Sequence, residues 1–201
     1  MIHLDERFMD AVEAAVGDAE HNTDAEIVVV AAGRSGSYRD VAVTAGVIAA
    51  AVVMGVGLFS PWHVSEGWLV TEMAIVLLAV TWAANRWPRL LRLLTTTSRR
   101  HAQVTDAAAA AFHQEQVHAT RGRTGLLIYV SALEDDVAVL PDHGVDARVP
   151  QALWNDLEWN ARKLDGFLDG LASAGRVLAT HLPSLDGDNP DEIPNRPRVR
   201  P

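Results

Sequence analysis

Two runs of 19 residues carry almost no polar side chain, and they lie close together in the first half of the chain. The first, Val41–Phe59, reads VAVTAGVIAAAVVMGVGLF, and the second, Gly67–Asn85, reads GWLVTEMAIVLLAVTWAAN. At 1.5 Å per residue such a helix reaches roughly 28 Å, close to the hydrocarbon thickness of a bilayer. The seven residues SPWHVSE between the runs allow a turn and nothing larger. Backbone in lipid must satisfy its own N–H groups, so the pattern predicts a hairpin of two transmembrane helices. Trp62 and Trp68 flank the turn and Trp82 and Trp87 lie at the far end, a double aromatic belt. The other reading is a pair of core helices in a soluble protein. It would call for polar stripes that the runs lack, and for more covering chain than 201 residues provide.

Outside the runs the periodicity changes. Leu4, Phe8, Val12, Ala15 and Ala19 fall on one face of a helix over residues 4–21, with Asp5, Glu6, Asp10, Glu13 and Glu20 elsewhere. Asn22, Thr23 and Asp24 break it, and AEIVVVAAG follows, a continuous apolar run suited to a strand covered on both faces. After the hairpin, residues 99–120 read as one long helix. TGLLIYVSAL reads as a second buried strand, and DDVAVLPDHGV as a third, closing on a Gly turn and paired with the second. Residues 150–160 and 165–181 read as two further helices. The order describes a small α/β sandwich with a mixed sheet. Residues 1–40 and 88–182 are its two parts, 41–87 the inserted hairpin, and 183–201 a disordered tail rich in Pro, Asp and Arg. The first two strands are expected to lie parallel and adjacent, with the long helix as their crossover.

Charge refines this picture. The net charge of −9 divides into −6 over residues 1–40, −2 over 41–85, +5 over 86–124 and −6 over 125–201. An acidic body argues against nucleic acid as a partner, since phosphates call for Lys and Arg. The basic block directly follows the second apolar run, which makes the lipid bilayer its expected neighbour. Arg34 and Arg39 precede the hairpin and Arg86, Arg89, Arg92, Arg99 and Arg100 follow it, whereas the turn has no Lys or Arg. The positive-inside rule then gives a multi-pass protein of the inner (cytoplasmic) membrane, with both termini and the soluble domain in the cytoplasm. No signal peptide is expected, because acidic residues occupy the place of its apolar core. The preponderance of arginine over lysine and the abundance of alanine fit a bacterial, GC-rich source.

Candidate chemistry is acidic. Without cysteine there is no disulfide, thiolate metal site or thiol nucleophile. Glu134, Asp135 and Asp136 follow the second strand, and Asp142 and Asp146 bracket His143 and Gly144. Clustered carboxylates at strand ends suit Ca2+ or another divalent cation, while Asp and Gly are also what a solvated hairpin turn prefers. Glu72 is the one ionisable residue inside a run, as a proton or ion site or as a carboxyl reaching the nearby interface. Asp186, Gly187 and Asp188 open like a calcium loop but lack its later Gly and Glu. The histidines form no HExxH, and His113 and His118, five apart, are expected on different helix faces. No Ser or Thr sits in a nucleophile elbow, so a metal-assisted hydrolase is the one enzyme class with support.

Taken together, AEIVVV after an acidic helix, TGLLIYVSALEDDVAVLPDHGV, Trp154, and the segment ending AAFHQEQVHATRGRTG resemble the TPM domain family. The close GFLDGLASAGRVLATHLPSLDGDNPDEIPN is similar to its membrane-inserted bacterial branch, and the likeness covers residues 4–195. The resemblance implies an α/β/α sandwich and a membrane-attached protein. It also implies either an assembly or maintenance factor for membrane complexes, or a weak acid phosphatase or calcium binder. The favoured expectation is a non-catalytic module with a membrane-protein partner. The alternative is a metal-dependent phosphatase using Glu134–Asp136 and Asp142.

Overall fold

A computed structural model describes residues 2–60, 66–184 and 192–200. The chain divides into two compact units: Met1–Ser35 with Arg100–Pro201, and Gly36–Arg99 between them. Along the chain the elements are α1 (Glu6–Glu20), β1 (Glu26–Ala32), α2 (Arg39–Phe59), α3 (Glu66–Arg86), α4 (Pro88–Leu94) and α5 (Thr97–Gln114). They continue as β2 (Gly125–Ser131), β3 (Asp136–Pro141), α6 (His143–Asp146), α7 (Gln151–Asn155), α8 (Leu164–His181) and β4 (Arg198–Arg200).

The first unit is a mixed four-stranded sheet in the order β3-β2-β1-β4. β1 and β2 run parallel over their full length, Glu26 opposite Gly125 through Ala32 opposite Ser131. β3 returns antiparallel along β2. Every residue of β1 and β2 is buried, as their unbroken apolar sequence requires of strands covered on both faces. Side chains alternate between the faces. Ile27, Val29, Ala31, Leu126, Ile128 and Val130 pack with Phe8, Val12 and Val16 of α1 and Phe167, Leu171, Ala174 and Leu178 of α8. Val28, Val30, Ala32, Leu127 and Tyr129 face Val104, Ala108 and Ala111 of α5. This is an α/β/α sandwich.

Local signals account for the helices on the first face. Asp5 caps α1 by accepting the Phe8 N–H at 3.0 Å. Phe8, Val12 and Val16 recur every fourth residue and form its buried stripe. Gly175 of α8 lets the two helices touch, since a methyl group there would come within 2.8 Å of Ala19 Cβ.

Four local expectations are corrected. The long helix stops at Gln114, and Gln116 takes a positive φ of 55°. A 3-10 turn over Val117–Ala119 then folds Val117 into the core, so burial overrides continued helix. The helix expected over 150–160 is only α7, because Leu157 and Trp159 leave the helical path to pack on the core beside Trp154. The Gly turn after β3 is a helical turn, α6, held by Gly144 N–H donating to Arg123 O at 2.8 Å. The tail is ordered over residues 192–200: β4 pairs parallel with β1, Val30 opposite Arg198 through Ala32 opposite Arg200. Its backbone pairs with the last three residues of β1, and the arginines of the segment, Arg196, Arg198 and Arg200, find carboxylates. Short α4 had no foreseen counterpart.

The second unit holds two helices long and apolar enough to cross a membrane, Arg39–Phe59 and Gly67–Arg86. Their packing inverts the usual rule. Small residues are inside, with Ala42, Gly46 and Ala50 making the buried face of α2. A methyl group on Gly46 would lie 2.7 Å from the Leu77 carbonyl of α3. Large ones point outward: Ile48, Val52 and Val56 of α2, and Trp68, Leu78 and Trp82 of α3, are 59 to 66% exposed.

Candidate functional site

The carboxylates expected to form one acidic site are placed at two ends of a strand. β3 separates Asp136 from Asp142 by six residue steps, about 20 Å of extended chain. The groups at its two ends therefore cannot bind one ion, and Glu134, Asp135, Asp136 and Asp142 are each engaged where they stand.

Glu134 lies in the tight β2–β3 connection, buried to 3% exposure. Both its oxygens accept the Ser35 N–H, at 3.1 and 3.2 Å, and Ser131 Oγ donates to Oε2. Ser35 Oγ in turn donates to the Tyr129 hydroxyl at 3.4 Å. Two backbone bonds reinforce the joint, Ala132 N–H to Ala32 O at 2.9 Å and Leu133 N–H to Gly33 O at 3.1 Å. Glu134 thus fastens the chain leaving β1 to the end of β2. A buried carboxylate that accepts several donors is stable in place.

Asp135 turns the hairpin with a left-handed φ of 60°, and its Oδ2 lies 2.5 Å from Arg162 Nε. Asp136 contacts His101 Nδ1 at 2.7 Å and accepts its neighbour Val137's N–H at 2.9 Å. At the other end of β3, Asp142 is buried and takes a two-pronged contact from Arg123, Nε at 2.8 Å and Nη2 at 3.0 Å. Asp146 is exposed on α6. The expected five-residue metal site is therefore corrected. Among the described residues no three His, Asp or Glu side chains are grouped to hold a metal ion. Asp186, Gly187 and Asp188, like Trp62, lie outside the described residues. Glu72 is exposed on α3.

His113 and His118 are also corrected. Because α5 ends between them, their rings come together with centroids 5.5 Å apart, and Phe112 stacks on His118.

Sequence reasoning missed the C-terminal arginines altogether. Arg196 reaches three carboxylates of α1: Glu6 at 2.7 Å, Glu13 at 2.9 Å and Asp10 at 3.4 Å. The hydrogen bond to Glu13 raises the guanidinium pKa, and the charges of Glu6, Glu13 and Asp10 add to it. Glu115, just past α5, meets Arg200 at 2.7 Å and Arg198 at 3.4 Å. The signal was present in the sequence. Glu6, Asp10 and Glu13 lie four and three apart, the spacing of one helix face, and RPRVR alternates at strand period.

No family model matches this chain, and no curated protein does. Its fold is similar to the NMR structure of BA42 protein from the psychrophilic bacterium Bizionia argentinensis. The TM-score is 0.58 at 19% identity, over 98% of this chain and 96% of that one. The likeness is one of fold.

Proposed function

We propose that this chain is a membrane-anchored, TPM-like domain protein acting as a non-catalytic binding or assembly and maintenance module for a membrane complex. The observation that carries the reading is the inverted hairpin, with Ala42, Gly46 and Ala50 inward and large apolar side chains outward. In water this arrangement would expose a wide apolar surface. In lipid, close contact through small residues is how helices associate. With the arginine distribution, the anchor sits in the cytoplasmic membrane with both termini and the α/β unit in the cytoplasm.

The non-catalytic part rests on how the acidic residues are used. Glu134, Asp135, Asp136 and Asp142 each hold a joint of the fold, and a phosphatase would have to draw them from those bonds. The test is purification of the full chain from detergent-solubilised membranes, with partners quantified by mass spectrometry and phosphatase turnover measured in the same sample. A stoichiometric membrane-protein partner without turnover is expected. Divalent-dependent turnover abolished by Asp142→Asn would reverse the reading. Extraction of the chain by alkaline carbonate would remove the anchor.

A further inference from the structure

The outer edge of β1 lies between two acidic walls. Glu6, Asp10 and Glu13 form one, along a single face of α1, and Glu115 stands at the end of α5. Residues 192–200 fill the space between. Glu192 accepts the Arg121 N–H at 2.9 Å, and the Ile193 N–H donates to Glu26 at 3.4 Å. Arg196 meets the α1 wall, and Gly33 N–H donates to Arg200 O at 3.0 Å.

The hold is short and mostly polar, with Ile193 packed on the core beneath α5 and Pro197 buried as its apolar anchors. Only three of the seven β1 residues pair with β4, and Val199, the one apolar residue of the strand, is 43% exposed. Arg196 is about half in solvent, 47%, where ion pairs contribute little each, while Arg198 and Arg200 meet Glu115 at 24 and 27% exposure. A segment held in this way opens locally far more readily than β1 or β2, which are buried throughout.

We propose that this edge is a docking groove for an extended basic segment of a partner protein, closed in cis by the chain's own residues 192–200. Resting on the binding-module reading, the proposal names the surface and the chemistry of the partner. That segment would run parallel to β1, place arginines at alternate positions against Glu115, and set one more against Glu6, Asp10 and Glu13. Sheet edges recognise extended peptides through backbone bonds, with side-chain contacts giving selectivity. A second copy of this chain is the weaker occupant. Its segment would replace an identical one already tethered nearby, and the exchange would make no new bond.

The test replaces residues 186–190 of the full chain with a protease site and cuts it after folding in detergent. A fluorescent peptide of residues 192–201 is then titrated onto the cut, washed protein and onto uncut protein. Saturable, salt-sensitive binding is expected, at least about tenfold tighter to the cut chain because the tethered segment competes in the other. A peptide of the same composition with its arginines adjacent should compete poorly, and Glu115→Gln and Glu13→Gln should each weaken binding severalfold. Equal binding to cut and uncut chains, no binding, or equal competition by the rearranged peptide would each overturn the groove. So would loss of cooperative unfolding on cutting, which would make the segment an inseparable part of the sheet. Exchange that yields only dimers of this chain would assign the edge to self-association instead. A cut chain that refuses the peptide yet keeps its membrane partner would sink the groove alone. One that takes the peptide but has no partner in membranes would sink the module reading.

Discussion

Asp142 separates a structural from a metal-binding role in a single residue, because only the metal-binding reading predicts a response to calcium. The carboxylate is 4% exposed and is met by both Nε and Nη2 of Arg123, whose side chain is 54% exposed. Replacing Arg123 by methionine keeps the stem and removes the fork, so a buried carboxylate loses its charged donors. Full burial of an orphaned charge costs about 3–5 kcal/mol. With Arg123 half in solvent, water replaces part of the loss, and we expect about 1–3 kcal/mol. For a unit of this size that is a fall in Tm of about 4–10 °C. Methionine is chosen over glycine because Arg123 has φ 54°, and glycine would relieve backbone strain and mask the loss. Asp142→Leu combined with Arg123→Met should recover much of the deficit, since removing both partners of a buried pair is far milder than removing one. Thermal unfolding of the detergent-solubilised full chain gives all four corners of the cycle. On the same samples millimolar calcium should leave Tm unchanged. A metal site would instead add about 2.7 kcal/mol at a hundredfold excess over Kd and lose it in Asp142→Asn. A calcium-dependent Tm that disappears in that variant, or an Arg123→Met cost below about 0.5 kcal/mol, would refute the reasoning.

Three further outcomes are expected. In a chain without native cysteine, a probe that cannot cross membranes should label Ser60→Cys in intact cells but not Ser173→Cys; the reverse pattern would invert the topology. Gly46→Leu should disrupt the hairpin, because its side chain meets Leu77 and Thr81, while Val52→Leu on the outward face should be silent; equal effects in a detergent-resistance assay would show that α2 and α3 do not pack through the small residues. Residues 95–201 alone should lack cooperative unfolding, since β1 pairs with both β2 and β4 and is missing from that fragment; dispersed amide signals from it would contradict this.

Much of this architecture was legible because it depends on runs long enough to average over context. Two apolar stretches of helical span length, the unbroken EIVVVAA and GLLIYVS, and the four-residue spacing of Phe8, Val12 and Val16 each dictate what must be covered. The parallel pairing of β1 and β2 followed as well, since a long helix between two buried strands leaves few other topologies. What escaped depended on partners distant in sequence. The carboxylates around β3 read as one cluster because sequence places them within thirteen residues, Glu134 to Asp146. Extended chain separates what sequence proximity suggests is joined, and four of the five groups were claimed by Ser35, Arg162, His101 or Arg123. His113 and His118 met only because Val117 was drawn into the core and ended the helix early. The polar tail read as disordered by composition, yet three arginines found acidic residues on α1 and after α5 and a free strand edge to pair with. The sequence alone determined which segments must be buried and which are long and apolar enough to cross a membrane, because both follow from the apolarity of the segment itself. Only the tertiary structure decided which charge meets which, because an ion pair is a property of two places in space.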